Sequence, residues 1–338
     1  MRQEGQKLDS YLLYFDSGTS NTRAYLLDRD FQVKYVAKKA VGSKDSAIAG
    51  SNRVLIEGMK ALHDQVLQAN GLTGENISAI YASGMITSPY GLKEVPHLPL
   101  PLTVKKFADS LYPFREDTCF HRDIILVPGL KTLSDDFSFV NNMRGEEIEI
   151  IGALEELKAM DDVQDAALIF PGSHTHVTYI QGEEITGIIS NFTGELFYAI
   201  QKDTILSPVL TSDGGPLDTD MVRQGYQNLK RFGFNRALYI CHAMRLFEQG
   251  SRQQRFSYGE GVIMGGVRES LEYYCQHFWP KCRTVVLVSD EFMYQLFAAL
   301  LEDSGYIDRV LWMPISESKS YAVSGLKKII RAKGERYE

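Results

Sequence analysis

Residues 11–28 of this chain, YLLYFDSGTSNTRAYLLD, constrain its fold more than any other stretch. Apolar residues run up to Asp16, a small hydroxyl-rich turn follows from Ser17 to Thr22, and a second apolar run covers Ala24 to Leu27. The pattern predicts strand, tight turn, strand, with one acid at the end of the first strand. Gly18 can take a positive φ and lets another group approach the backbone. The hydroxyls and free backbone N–H groups of Gly18, Thr19, Ser20 and Asn21 suit phosphate oxygens. A carboxylate beside them, Asp16, can hold a magnesium ion through water. The same residue types are what an ordinary N-terminal hairpin uses, so the local pattern alone leaves both readings open.

The length of 338 residues is enough for two domains. Hydrophobic residues make up 44% and charged residues 23%, which is ordinary for a water-soluble globular chain. A net charge of −7 argues against a general nucleic-acid binder but not against a phosphorylated ligand, which a few local cations and N–H groups can hold. The opening MRQEGQKLDS is polar and reads as no signal peptide. No run approaches the roughly 20 apolar residues of a membrane span. The expectation is a cytoplasmic protein with no membrane partner. Cys119, Cys241, Cys275 and Cys282 form no CxxC pair and read as buried or incidental thiols of a reducing compartment.

Two halves are visible, with the boundary placed between residues 1–160 and 161–338. In the first, 31–38 reads as a third strand, 51–70 as a helix, and 77–82 and 124–127 as short buried strands. The stretch 84–101 holds Pro89, Pro96, Pro99 and Pro101 and is expected to be irregular. The second half repeats the opening plan: strand 167–170, turn 171–176, strand 177–180, then 185–189. Helices are expected at 222–229, 236–247, 260–278 and 321–331, strands at 284–289 and 309–312. Both polar tails are expected to fray.

Three further pieces carry chemistry. Glu146 and Glu147 follow Gly145 at the start of a predicted helix, 148–157, where the macrodipole favours acids. That alone explains acids there; alternatively one of the two is a general base, with Arg144 beside it as a planar fork for an anionic substrate. Thr193, followed by Gly194-Glu195, reads as a helix N-cap or as a ligand contact from a helix N-terminus. His174 and His176 lie in or next to the second turn, with no third metal ligand indicated, and read as surface or hydrogen-bonded residues.

Taken in order, DSGTSNTRAYLLD (16–28), ASGMITSPYGLKEVPHLPLP (82–101), VPGLKT (127–132), NMRGEEIEIIGAL (142–154), FPGSHTHVTYIQGEEI (170–185) and NFTGELFYAIQKDTIL (191–206) resemble the 2-dehydro-3-deoxygalactonokinases of the actin-like ATPase superfamily of sugar kinases. The MRGEE and TGEL segments are the specific ones; the opening hairpin is shared across the superfamily. The resemblance implies an α/β fold of two ribonuclease-H-like domains that close around a central cleft. It implies phosphorylation of 2-dehydro-3-deoxy-D-galactonate at the 6-hydroxyl with ATP and Mg²⁺, in galactonate catabolism. On that reading Asp16 holds the metal, and Gly18, Thr19, Ser20 and Asn21 cradle the β- and γ-phosphates. Gly172, Ser173, His174 and Ser289 touch the nucleotide, and Arg144, Met85, Thr193 and Glu195 the sugar acid. A looser likeness to glycerol-kinase-like enzymes, which carry an acid directly after a glycine at this place, favours Glu146 as the base, with Glu147 the near alternative.

The chain also departs from the family. It has Ser17 where the family has Trp, and no lysine at or near His176 or Thr178. It has Asp290-Glu291 where the family has a small glycine-rich turn. Two acids near a triphosphate weaken its binding unless they point away or ligate the metal. Two other readings therefore stand: a kinase-like protein with reduced catalysis that binds a sugar acid or a partner, and a kinase for another 2-keto-3-deoxy acid. The segment from Glu155 to Asp165, which includes Asp161-Asp162, and the return near the C-terminal helix are expected to serve as hinges.

Overall fold

Strand β1 (Tyr11–Ser17) presents Leu12 to Phe15 fully buried, on both faces, as a central strand does. It pairs antiparallel with β2 (Thr22–Leu27), which pairs antiparallel with β3 (Val33–Lys39). Helices α1 (Ser43–Ala49) and α2 (Arg53–Asn70) carry the chain across, and β4 (Ile77–Gly84) returns parallel to β1. Next come β5 (Leu98–Pro99), β6 (Leu102–Thr103), α3 (Val104–Asp109), β7 (Tyr112–Glu116) and β8 (Arg122–Leu126). Strand β8 lies parallel on β4, and β7 closes the edge antiparallel. Short strands β9 (Leu130–Lys131) and β10 (Asn142–Met143) join β5 in a small separate sheet ahead of α4 (Glu146–Ala159). The computed structural model describes residues 10–160, 163–316 and 320–334. The tails expected to fray and Asp161-Asp162 lie outside the described residues.

The second unit opens with β11 (Asp165–Phe170), β12 (His174–Gln181) and β13 (Glu184–Phe192). Four helices follow: α5 (Gly194–Asp203), α6 (Thr219–Phe232), α7 (Phe234–Leu246) and α8 (Arg252–His277). The chain then alternates through β14 (Thr284–Ser289), α9 (Glu291–Leu301) and β15 (Arg309–Pro314). Its strands run in the order β13-β12-β11-β14-β15, with two antiparallel and then two parallel pairings. The first unit has the same order and senses in β3-β2-β1-β4-β8. Each half is thus one α/β unit built on one topology, as the sequence repeat implies.

Contacts divide the chain into one unit of Met1–Ala159 with Ser320–Glu338 and another of Met160–Lys319. The continuous division at residue 160 does not carry the last helix: α10 (Tyr321–Lys333) packs on α4 of the first unit. At their crossing the helices touch backbone to backbone. A Cβ on Gly152 would fall 2.0 Å from Tyr321 O, and one on Gly325 would fall 1.8 Å from Ile148 O. Lys328 Nζ to Glu155 at 2.8 Å, and the Tyr321 hydroxyl donating to Glu156 at 3.1 Å, tie the same pair together.

Other elements differ from expectation for local reasons. The turn expected over 171–176 is shorter, because β12 begins at His174. Both histidines therefore sit on the strand, with rings 6.2 Å apart on one face. Glu155 to Ala159, expected as part of a hinge, is the last stretch of α4. Helix α8 starts at Arg252, well before 260, behind a Ser251–Gln254 capping box. Helix α9 was not expected; Asp290 starts it by accepting from Met293 N at 2.9 Å.

Candidate functional site

The first hairpin turn is held from inside. Gly18 N donates to Asn21 O at 2.8 Å. The Ser17 hydroxyl is buried and paired with Thr22 Oγ1 at 3.0 Å, and Thr22 Oγ1 donates to Val41 O at 2.7 Å. Ser43 N and Lys44 N donate to the carbonyls of Gly18 and Thr19 at 3.3 and 3.0 Å. A Cβ at Gly42 would lie 2.4 Å from Thr19 O, so the turn rests on a bare backbone there. Thr19, Ser20 and Asn21 remain exposed above it. Asp16, half-buried, faces Arg23 across the hairpin with Nη1–Oδ2 at 3.4 Å.

Strand β4 ends beside β1, with Ser83 opposite Asp16 and Gly84 opposite Ser17. The backbones approach so closely that a Cβ on Gly84 would lie 2.4 Å from Ser17 O, and Gly84 takes φ +86°. Gly145, at φ +126°, would bring a Cβ to 3.7 Å from the Gly84 Cα. The start of α4 therefore lies against the ends of β1 and β4, which makes Asp16 and the acids of α4 electrostatic neighbours.

Those acids differ sharply. Glu147 is fully buried; its Oε2 accepts from Gly145 N at 2.6 Å, and its Oε1 has no hydrogen-bond partner among the described residues. Burial, with Glu146 adding, pushes its pKa up to about 8. Glu146 is half-buried with Oε2 shielded from water, and burial, with Asp16 adding, raises it to about 7. Glu149, which the sequence reading missed, stands one helical turn on from Glu146. It reaches about 8 through burial and then the charges of Asp16 and Glu146. Burial also raises Asp16, with Arg23 opposing. Helical spacing of three from Glu146 was the signal for Glu149.

Carboxyl oxygens are the ligand type a hard divalent cation takes. Among the described residues no group of three or more His, Cys, Asp or Glu side chains is placed to hold a metal directly. A water-mediated ion at Asp16 fits both observations.

Met85 is half-buried in the 3₁₀ turn Met85–Thr87, directly after β4. Arg144 donates through Nη1 to Thr87 Oγ1 and through Nη2 to Val95 O at 2.9 Å, with Nη2 also 3.2 Å from His97 Nδ1.

In the second unit, Gly172 and Ser173 form the exposed turn between β11 and β12. Gly194 packs on it, since a Cβ there would lie 2.3 Å from Gly172 O, and Glu195 N donates to Ser173 O at 2.9 Å. Thr193 stands at the N-cap position of α5 but does not cap; its hydroxyl pairs with Thr175 Oγ1 at 2.8 Å. His174 Nε2 lies 3.5 Å from Glu195 Oε2, both well exposed. His176 is buried against Ser190 Oγ at 3.1 Å, and burial, then His174, lowers its pKa to about 4. Residues 172–174 and 193–195 thus form one cluster. Ser289 ends β14, the strand beside β11; its carbonyl accepts from Trp312 Nε1 at 3.0 Å and Ile315 N at 3.2 Å. Asp290 is occupied as the cap of α9, and Glu291 accepts from Gln295 Nε2 at 3.1 Å within that helix. The two acids that mark the departure from the family are accounted for by a helix start.

Known proteins resemble the chain as a whole. A family model described as 2-keto-3-deoxy-galactonokinase matches residues 16–328. The chain is 26% identical over 223 residues, 64% of its length and 67% of the relative's, to the 2-dehydro-3-deoxygalactonokinase candidate DgoK1 of Rhizobium meliloti (strain 1021). The crystal structure of a 2-dehydro-3-deoxygalactonokinase candidate from Sinorhizobium meliloti superposes with a TM-score of 0.75 at 22% identity, covering 95% of this chain and 99% of that one. A reductive activator for a corrinoid, iron-sulfur protein shares the fold at a TM-score of 0.51 and 12% identity, over 98% of this chain and 63% of that one. The chain shares its two-unit α/β fold with the Sinorhizobium meliloti structure over nearly the whole length of both. With nearly the whole chain matched, the protein belongs to the 2-keto-3-deoxy-galactonokinase family and is a sugar kinase that transfers phosphate to an alcohol.

Proposed function

We propose that the protein transfers the γ-phosphoryl group of ATP to the 6-hydroxyl of 2-dehydro-3-deoxy-D-galactonate, with Glu146 as the base. The observation that carries the reading is the pair of neighbouring acids at the start of α4. Glu147 is enclosed and held to its own turn, whereas Glu146 is half-buried and titrates near 7. A base poised near neutral pH, next to an exposed turn of N–H and hydroxyl groups, is what phosphoryl transfer to an alcohol asks for.

In the transfer, the substrate oxygen forms a bond to the γ-phosphorus as the bond from that phosphorus to the bridging oxygen breaks. The hydroxyl proton passes to Glu146, and ADP leaves. Thr19, Ser20 and Asn21 hold the β- and γ-phosphates; Gly18, expected among them, has its N–H spent on Asn21 O and shapes the turn instead. Asp16 holds Mg²⁺ through water, and the ion when bound offsets phosphate charge. Gly172, Ser173, His174 and Ser289 are the nucleotide contacts of the second unit, and Met85, Thr193 and Glu195 are contacts for the sugar acid. Four free cysteines among the described residues support a cytoplasmic place for this chemistry.

A coupled ADP-release assay with 2-dehydro-3-deoxygalactonate and a panel of related 2-keto-3-deoxy acids tests the reading. Glu146→Gln is expected to lower kcat by ~10²–10⁴-fold, the usual worth of a general base. Glu147→Gln is expected to keep most of the turnover. Normal turnover in Glu146→Gln removes the base assignment. Sugar-acid binding by calorimetry with neither turnover nor saturable Mg-ATP binding points instead to a binding protein of reduced catalysis.

A further inference from the structure

Arg144 offers a planar fork next to the proposed base, the usual equipment for a carboxylate. Its surroundings give it another task. Nη1 donates to Thr87 Oγ1, whose hydroxyl donates in turn to Gly84 O at 3.1 Å. Nη2 serves Val95 O at 2.9 Å and His97 Nδ1 at 3.2 Å. Both terminal nitrogens are thus engaged by one segment of this chain, and that segment is itself folded back: Val95 N donates to Thr87 O at 3.0 Å, and Leu92 N to Ile86 O at 2.7 Å. Because His97 accepts through Nδ1, its proton sits on Nε2. The ring is wedged on Gly129, where a Cβ would lie 2.7 Å from Cδ2. Burial, with the Arg144 charge adding, keeps the imidazole neutral, at a pKa of about 4, and so able to accept. On its other side Arg144 is followed directly by Gly145 and Glu146.

We infer that Arg144 is a positioning residue, which fastens the segment from Thr87 to His97 onto the turn that carries Glu146, and that it is not the receptor for the substrate's carboxylate. Its kinetic test rests on the kinase reading; its structural test does not.

The kinetic arm compares the sugar acid with its methyl ester in the wild type and in Arg144→Met. A misplaced base lowers kcat, by ~10²-fold for a shift near 1 Å, and leaves the KM of the sugar acid within a few-fold. The ratio of kcat/KM for acid over ester stays as in the wild type. A large rise in KM together with collapse of that ratio overturns the inference. Arg144→Lys keeps the charge and loses the fork, and is expected to recover only part of kcat. His97→Phe, which removes another end of the clamp, is expected to shift kcat in the same direction. The structural arm follows hydrogen exchange of the amides of Leu92 and Val95. Arg144→Met is expected to speed them by at least about tenfold while amides of β1 stay protected. Unchanged exchange at both positions overturns the clamp whether or not the protein turns over. If Arg144→Met does not fold, the same two readouts on Arg144→Lys decide it. Absence of turnover in the wild type with intact exchange differences would sink the kinase reading and leave the clamp standing.

Discussion

Three carboxyls within four residues of one helix titrate well above their ordinary range, for one shared reason: α4 begins in a partly enclosed part of the unit, where water solvates a charge poorly. The sign of their effect on stability follows. The folded chain keeps protons on Glu146, Glu147 and Glu149 at pH values where the unfolded chain has lost them, so what these three groups contribute to folded stability is greatest below the ordinary glutamate range. It declines as pH rises from about 4.5 toward 7–8. Activity has the opposite slope, since a base must be ionised: kcat/KM is expected to rise with pH through an acidic limb near 7. Melting temperature and kcat/KM of the ligand-free enzyme between pH 5.5 and 8.5 check both slopes. Glu149→Gln is expected to flatten the first slope, and parallel curves for variant and wild type would contradict that attribution. Glu146 and Glu147 were legible in the sequence as a pair. Their difference was not, because adjacent residues on a helix point about 100° apart and only the packing tells which one faces in.

Helices α4 and α10 meet through two glycines, each seated against the other's backbone. Gly325→Ala would put a methyl group 1.8 Å from Ile148 O, so the helices must separate. A loss of about 1–3 kcal/mol is expected in urea unfolding. Because Ile148 lies in the first turns of α4, a fall in kcat is expected with it. A stable, fully active Gly325→Ala variant would show that the crossing tolerates a shift. The central strands are legible as short apolar runs ending in Gly or Pro-Gly: those expected at 77–82 and 124–127 are β4 and β8 with ends off by one or two residues, whereas the short or edge strands β5, β6, β7, β9 and β10 carry no such signal. Helix α9 is hard to see in the sequence because Asp290 reads equally as a charge beside a nucleotide and as the cap it is. The early start of α8 was hidden by a first turn, Arg252 to Arg255, with no apolar residue in it. Nothing in the sequence marks which glycine seats against which backbone, since such contacts join positions far apart in the chain.

At the scale of the whole molecule, one strand order appears twice, β3-β2-β1-β4-β8 and β13-β12-β11-β14-β15. The hydroxyl-rich hairpin that opens each half announced that repeat. The interleaving was not announced: the second unit is inserted into the first, between Ala159 and Ser320. A chain ending at residue 319 is expected to keep the second unit and to lose the first as a stable body, because the apolar side of α4 is left uncovered. Limited proteolysis would then cut within residues 10–159 and spare 163–316; equal resistance in both would contradict it. The same insertion sets a timetable for synthesis. At the ~5–20 residues per second of a ribosome, α4 waits on the order of ten seconds for its partner helix, while the entire second unit is made. The unit begun first is completed only after the second has been made, and α4 is without its partner until α10 follows.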